Sequence, residues 1–423
     1  MEFNITEVLK AEAEIPLRQV TGFTFIWKAD CHAQFTMDGY IDSNCGWRPG
    51  QAYNSHIKIS AEEGTTKQIL FHGYISQAEV KREGNTDRIR LLAVSASCLL
   101  DQRQGERSFQ DTSRTYGEVV REIVQANGGQ VIRNRESDKK IESPVIYYKE
   151  TPWQFARRMG SRLGNFVIPD IETGKPNLWF GMRNGKTVSP LSEEECVMQL
   201  YSLGKDRRVR FQVKGREFYK IGDRMTYMGR NVTVMAVEGN YRRGELLFTY
   251  LLEDKTTYEA ENRDSAHPAG QGFWGTITDV KDETVKLALD LDNGEETGEF
   301  FYPWRPETGN AFYAMPERGA RALLYFLEAG ETNGAVIHCL NHTEREGLEH
   351  RDKTLNTEDG NSMCLYQDSL SFSRGGGHTV ALGDGSVSAS TPKKIKVRAK
   401  GKVRLKARSI TVCTPDEIKL AQM

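Results

Sequence analysis

Long hydrophobic runs are missing from this 423-residue sequence. A membrane-spanning helix needs about 20 apolar residues, and the best stretch, Leu246–Leu252, is only seven residues long and includes a threonine. The N-terminal residues also lack the basic start and apolar core of a secretory signal. The sequence therefore predicts synthesis in the cytoplasm, with no signal peptide and no membrane-spanning helix.

Paired cysteines and an excess of one charge are lacking as well. The seven cysteines are an odd number and lie far apart, which argues against a disulfide framework and against a zinc ribbon. The 57 basic and 58 acidic residues nearly cancel, so no overall basic field attracts nucleic acid. At about 150 residues per domain, the length predicts about three domains.

Motifs for catalysis and for metal binding are not apparent. The sequence has no Gly-x-Ser-x-Gly, and Gly185-Lys186-Thr187 lacks the earlier glycine of a phosphate loop because Phe180 stands there. His338 and His342 have the spacing of a helical metal pair, but they fall where a strand is predicted, and four residues along a strand span about 13 Å. We predict no catalytic residue, no cofactor and no bound metal.

Strands are predicted for most of residues 1–262. Short runs rich in Ile, Phe, Val and Thr are separated by turn signals such as Pro49-Gly50, as in a β-barrel or sandwich. Two helices interrupt them, around 115–127 and 152–163. Thr115 and Thr151 each begin a capping box at the start of a helix. This region is therefore predicted to hold two barrel-like domains with inserted helices.

Two polar, unpatterned stretches, 263–272 and 342–362, are predicted linkers. Between them, residues 273–341 hold five short strands joined by Gly and Pro turns, which fits a small barrel of the OB type. Residues 363–423 follow the second linker. The fold class predicted for the whole chain is mainly β.

A strict alternation marks the C-terminal region. Every even position from 394 to 408 is basic, and we call these residues the basic ladder: Lys394, Lys396, Arg398, Lys400, Lys402, Arg404, Lys406 and Arg408. The odd positions between them are apolar or small, so the period is that of a strand. A single strand with one apolar edge is unstable alone, so copies from other chains are predicted to cover that edge. The predicted core contacts are Ile395, Val397, Ala399, Val403, Leu405, Ala407, Ile410 and Val412.

Five segments resemble known proteins in their residues and in their order. They are Phe71–Ile75, Glu150–Arg158, Gly309–Phe326, Gly334–Asn341 and Gly377–Leu382. Together they are similar to the hub-and-spike proteins of contractile injection systems, that is, the VgrG family and the phage late-control or baseplate-hub proteins. The resemblance covers nearly the whole chain.

The resemblance implies a homotrimer that docks on a tail tube within a baseplate. It implies a hub over 1–262, an OB-like collar over 273–341 and a short trimeric β-helix or prism over 363–423, which sheath contraction drives through the target envelope. The chain would act in a virion or injection particle and contact a target membrane or cell wall transiently. The last residues contain no His-x-His pair for a metal-bound tip, which leaves room for a separate tip protein or effector.

Two other functions stay open at this point. One is a cell-wall-degrading tail enzyme, because carboxylates for such chemistry are plentiful. The other is a nucleic-acid-binding OB protein with a basic tail. Against the second, the stretch 279–299 holds eight acidic residues and only two lysines, which would repel a phosphate backbone. The predicted function is a structural, non-enzymatic hub and spike that binds no nucleic acid.

Overall fold

The computed structural model describes residues 2–4, 8–42, 46–52, 54–63, 66–133, 135–191, 195–203, 206–254, 268–294, 298–307, 314–340, 352–357 and 359–413. The chain divides into two compact units, Met1–His342 and Thr343–Met423. Strands predominate in both, so the prediction of a mainly β fold is confirmed. No helix within the described ranges is long and apolar enough to cross a membrane.

The strands and α-helices of the first unit alternate in long runs. Up to the second helix they are β1 Glu2–Asn4, β2 Leu9–Ala13, β3 Leu17–Lys28, β4 Gln34–Ile41, β5 His56–Glu63, β6 Thr66–Glu83, β7 Thr86–Ser95, β8 Gly105–Phe109, α1 Tyr116–Ala126, β9 Val131–Arg133, β10 Val145–Glu150 and α2 Pro152–Arg162. They continue with β11 Val167–Pro169, β12 Leu178–Phe180, β13 Glu195–Leu203, β14 Asp206–Gly215, β15 Arg224–Tyr227, β16 Arg230–Arg242, β17 Glu245–Asp254, β18 Gly272–Lys281, β19 Thr284–Leu289, β20 Tyr302–Pro303, β21 Arg321–Phe326 and β22 Gly334–Leu340.

One large sheet joins the early strands to the late ones. Its order is β1-β2-β5-β6-β7-β4-β3-β16-β17-β14-β13, and β15 pairs with β16. The period-two pattern places alternate side chains in the core, as in β7, where Ile89, Leu91 and Ala93 are buried. The link between the two halves is the antiparallel pair β3–β16, in which Phe25 lies opposite Gly239.

Two short helices pack together beside the large sheet. As the sequence predicts, Thr115 and Thr151 form complete capping boxes, and α1 and α2 follow them directly. The apolar faces of both helices form a second core with the antiparallel pair β8–β10 and with strands β11 and β12. We call helices α1 and α2 together with strands β8, β10, β11 and β12 the helical region. Its helices pack on strands that lie before, between and after them in the sequence.

The five strands predicted between residues 273 and 341 are present as a single sheet. Its order is β20-β19-β18-β21-β22. Just after β20, Trp304 bridges in parallel to Val336 of β22, so the first and last strands meet and the sheet curls around its own core. A curled five-stranded sheet is compatible with the predicted OB-like barrel, whose assignment as a collar stays a prediction, and we call it the collar barrel.

The second unit is an antiparallel meander of short strands. They are β23 Lys353–Asn356, β24 Asn361–Leu365, β25 Ser369–Arg374, β26 His378–Gly383 and β27 Ser386–Ser390, and each pairs with the next. Strand β23 lies inside the range that the sequence predicts as the second linker. The division of the chain into hub, collar and spike stays a prediction, as do its boundaries.

The strand predicted over the basic ladder is not formed in the single chain. Within the described part of the tail, residues 391–413 carry no strand, and nearly all of them are exposed. A strand requires a hydrogen-bonded neighbour, and the meander ends at Ser390 without pairing to this segment. The alternation is therefore present in sequence while the partner that would turn it into a sheet is missing from the isolated chain.

Candidate functional site: a buried charge junction and an uncovered apolar face

A buried ion-pair cluster connects helix α2 to the collar barrel. Arg158, on α2, donates from Nη1 to Glu331 Oε1 at 2.8 Å and from Nη2 to Glu150 Oε1 at 2.5 Å. Arg162, one turn later on the same helix, donates to the second oxygen of Glu331. The side chains of Arg158 and Glu331 are 5 % and 0 % exposed. We call this cluster, with the groups around Asp292 described next, the junction.

A second carboxylate of the collar barrel, that of Asp292, is hydrogen-bonded to strand β8. Asp292 accepts two hydrogen bonds from Ser108, one from the backbone N–H at 2.5 Å and one from the hydroxyl at 2.6 Å. Gln110 extends the contact by donating to the carbonyl of Leu287 in β19 at 3.0 Å. Since β8 pairs with β10, the two carboxylates hold the same small sheet at two places.

The protonation state of Glu331 follows from its partners. Burial disfavours its charge, but Arg158, Arg162 and the backbone N–H of Ile146 outweigh burial and hold the pKa of the carboxyl below its ordinary value. For Tyr302, by contrast, burial and then the nearby carboxylates both raise the pKa, so the side chain stays a neutral phenol. At Glu331 the junction is thus a charged cluster in which each buried group has partners of opposite charge.

Apolar packing continues across the same contact. Ile146 of β10 belongs to the core of the collar barrel, and Tyr148 meets Phe273 edge-on, with ring centroids 4.9 Å apart. The buried ion pair between Arg158 and Glu331 is also costly to break, because removing one partner leaves an uncompensated charge. The helical region and the collar barrel are therefore held together by both apolar contact and paired charge.

In the second unit, one side of the meander is an uncovered apolar face. The register places these side chains opposite one another on the same side of the sheet: Leu355, Met363, Leu365, Leu370, Phe372, Val380, Leu382, Val387 and Ala389. Phe372 is 45 % exposed and Val387 is 74 % exposed. The opposite side carries mainly small residues such as Ser371, Ala381 and Ser388.

The predicted core contacts of the tail are exposed like the apolar face. Leu405 is 76 % exposed in the single chain, and Ile395, Val397, Val403, Ile410 and Val412 are all at least half exposed. The cations of the basic ladder are exposed too. The structure therefore does not bring the predicted contacts together within one chain, and their assignment to an oligomer core stays a prediction.

A serine, a histidine and an aspartate also meet in the first unit. His32 lies 2.8 Å from Ser97 Oγ through Nδ1 and 3.1 Å from Asp101 Oδ2 through Nε2. However, Ser97 is fully buried, and its hydroxyl is shared with Ser95. A buried hydroxyl does not reach a substrate carbonyl, so this arrangement is a packing contact beside Trp153 and not a nucleophile for hydrolysis.

Other candidate sites in the sequence have structural places. Phe273, Tyr302 and Trp304 lie in the core of the collar barrel. His338 is on strand β22, whereas His342 lies outside the described residues. Among the side chains that the structure describes, no group of three or more His, Cys, Asp or Glu is arranged to hold a metal ion.

One glycine pattern also deserves a structural reading. Gly270, Gly272 and Gly275 have the spacing of a dinucleotide-binding loop, which precedes a helix. Here Gly270 lies just before strand β18, and Gly272 and Gly275 lie within it. Without a helix N-terminus to receive a phosphate, the spacing has no such meaning.

No motif in the sequence predicts the junction. Arg158 and Arg162 are spaced four apart on a helix, which brings them to one face. That spacing alone equally describes a solvated helix face. Glu331 and Asp292 follow no motif, since both lie in short 3-10 helices between strands.

Comparison with known proteins agrees with this architecture. Residues 35–220 match the family model described as phage tail baseplate hub (GPD). No curated protein sequence matches the chain at a significant level. The matched range runs from β4 through the helical region to the loop before β15.

Two solved structures share the fold. The E. coli c3393 protein, described as a component of the type VI secretion system with structural similarity to T4 bacteriophage tail proteins gp27 and gp5, is 13 % identical, with a TM-score of 0.55, over 77 % of this chain and 98 % of that chain. A chain of the half-lidded Francisella PdpA–VgrG complex is 8 % identical, with a TM-score of 0.57, over 92 % of this chain and 89 % of that chain. Residues 35–220 thus match the phage tail baseplate hub family, and the chain shares its fold with the c3393 protein and with a chain of the Francisella PdpA–VgrG complex.

Proposed function

We propose that three copies of this chain form the structural hub and membrane-piercing spike of a contractile tail or injection machine. In this proposal residues 1–262 dock on the tail tube, residues 273–341 form a collar and residues 363–423 form the spike. Sheath contraction supplies the mechanical work, so the chain needs no nucleotide, metal or catalytic residue. The match of residues 35–220 to a baseplate hub supports the first of these roles.

The uncovered apolar face carries the proposal. Nine apolar side chains line one side of a sheet that no second layer covers among the described residues of its unit. Burying each large one is worth about 1.5–3 kcal/mol. A soluble protein rarely leaves such a patch in water. Identical copies that bring their faces together around one axis would cover all of them.

The tail extends the same arrangement. The odd positions from Ile395 to Ala407 would continue the core, with Ile410 and Val412 after them, and the basic ladder would face outward. Small residues such as Ala399 and Ala407 permit close approach at the axis. Pairing with the other chains would supply the strand-to-strand hydrogen bonds that the described residues 391–413 do not form in the single chain.

The junction gives the machine a stiff coupling. In the proposed order, the collar residues lie between the hub and the spike in the sequence, so force from the contracting sheath would be transmitted from the hub to the spike through the collar barrel. The ion pairs of Glu331 and the hydrogen bonds of Asp292 resist displacement of the collar barrel from the helical region. These contacts support a mechanical role for strand β8 and helix α2.

Molar mass in solution tests the proposal. Light scattering on the full chain is expected to give three times the chain mass, whereas a version cut after Ser390 should associate more weakly. Val387→Glu places a charge on the apolar face and should dissociate the trimer at low concentration. Ser388→Glu, the next residue but on the opposite face, is the matched control and should stay trimeric. A monomeric full-length chain would refute the proposal.

The enzymatic alternative is tested on the same samples. Zymography with cell-wall material is expected to show no clearing by the purified trimer. Clearing that persists across independent preparations would replace the structural proposal with that of a tail enzyme.

Partners are tested by pulldown with the products of neighbouring baseplate genes, which is expected to recover the tube protein and any separate tip protein or effector.

A further inference from the structure

We propose that the basic ladder binds the phosphate groups of an anionic lipid surface. The proposal rests on the function proposed above, in which these side chains face outward from the spike. It adds a specific ligand class to the envelope contact and assigns that contact to named residues.

Charge is segregated along the chain. Residues 393–408 hold nine of the 57 basic residues and no acidic residue, so the other 407 residues carry 48 basic against 58 acidic groups. The body is therefore net acidic while the tail is strongly basic. An anionic membrane attracts the tail and repels the body, which favours an approach with the tail first.

The ladder cations are free to meet a ligand. In the described tail, each of the eight side chains is exposed, and no ion pair engages any of them. Along a strand, alternate residues lie about 6.6 Å apart on one face. A row of cations at that spacing contacts several headgroup phosphates at once, and copies on neighbouring chains multiply the effect.

The composition of the tail favours lipid over nucleic acid. Single-stranded nucleic acid is held by aromatic side chains that stack on its bases, and residues 391–413 contain no Phe, Tyr or Trp. A lipid surface needs only cations at the level of the phosphates. Near such a surface each Lys or Arg changes the partition coefficient by a factor of about five.

Vesicle co-sedimentation of the purified full-length protein tests this assignment. We expect binding to vesicles of phosphatidylcholine mixed with phosphatidylglycerol, little binding to phosphatidylcholine alone, and loss of binding as salt is raised. The variant Lys400→Gln, Lys402→Gln, Arg404→Gln, Lys406→Gln keeps the strand alternation. It should lower binding by more than about a hundredfold, from the factor of about five for each cation.

The matched control removes the same charge elsewhere. Arg18→Gln, Lys28→Gln, Lys175→Gln, Lys281→Gln changes four exposed cations of the first unit and should bind vesicles as the unchanged protein does. Equal binding to both vesicle types, or an equal loss in both variants, would overturn the proposal. So would binding to soluble polyphosphate without binding to vesicles.

Molar mass measured on every sample separates this proposal from the one above. A trimer that ignores anionic vesicles would overturn the lipid assignment and leave the spike intact. A protein that is monomeric before any vesicle is added would overturn the spike itself, and the lipid assignment with it.

Discussion

Arg158 and Glu331 are 173 residues apart in the chain and form a fully buried ion pair, with Nη1 and Oε1 separated by 2.8 Å. Glu150 shares the arginine and Arg162 shares the glutamate. Because the two ends lie in different parts of the first unit, this one contact fixes the collar barrel against helix α2. Its geometry leads to the first two predictions.

Removing the carboxylate of Glu331 should destabilise the protein strongly. Glu331→Gln leaves two buried arginines with too little negative charge, and we expect a loss of about 3–5 kcal/mol in the free energy of unfolding. Denaturant unfolding of the first unit measures it. Arg318→Gln breaks an ion pair with Asp279 at the surface and should cost about 0–1 kcal/mol. Equal losses for the two substitutions would contradict the claim that the Arg158–Glu331 ion pair is buried and stabilises the fold.

The same carboxylate predicts a pH dependence. The pKa of Glu331 in the folded protein lies below its ordinary value of 4.5, so its contribution to stability is complete above about pH 4.5. That contribution is lost as the pH falls through the folded pKa, since the unfolded state then binds the proton more readily. The difference in melting temperature between the unchanged protein and Glu331→Gln should therefore be constant near neutral pH and shrink in acid. A difference that grows on acidification would show that the carboxyl is protonated at neutral pH.

The pairing of β3 with β16 requires a residue without a side chain at position 239, which is a glycine. A Cβ at Gly239 would lie 2.2 Å from Cε1 of Phe25, which is fully buried. Gly239→Ala should therefore cost about 1–3 kcal/mol, the usual range for overpacking, measured by thermal unfolding. Gly50→Ala is the control, because a Cβ there meets nothing within 4 Å, and it should change stability little. An unchanged melting temperature for Gly239→Ala would mean that Phe25 turns aside freely.

Hydrogen exchange should show the tail changing with assembly. In the assembled trimer the backbone amides of residues 394–408 are expected to exchange slowly, because pairing between chains protects them. In a Val387→Glu monomer they should exchange as fast as an unfolded peptide. Fast exchange in an otherwise stable trimer would confine the oligomer contact to the meander and remove the tail from the core.

Much of the local structure follows from sequence patterns. The capping boxes at Thr115 and Thr151 locate both helices because the cap is a property of four neighbouring residues. The five strands of the collar barrel are equally local, since period-two burial and Gly or Pro turns delimit each of them. The long-range features are different. Nothing near Glu331 indicates that it lies against Arg158, because that contact depends on how two distant segments pack.

The tail shows a second limit of sequence patterns. The alternation over residues 394–408 predicts a strand, yet the single chain forms none there. The pattern specifies which side chains share a face, but the hydrogen bonds of a strand belong to its neighbour. The sequence therefore indicates the need for a partner without providing one.

The pairing of β3 with β16 constrains how the protein emerges during synthesis. Strand β3 ends at Lys28, but the strand that covers its edge begins at Arg230. Roughly two hundred further residues are synthesised before that strand begins, at a rate of about 5–20 residues per second. During this time one edge of β3 is unpaired, and an unpaired sheet edge readily pairs with other chains. Incomplete products that stop before β16 are thus expected to accumulate in inclusion bodies, whereas chains released after Arg242 have closed that edge.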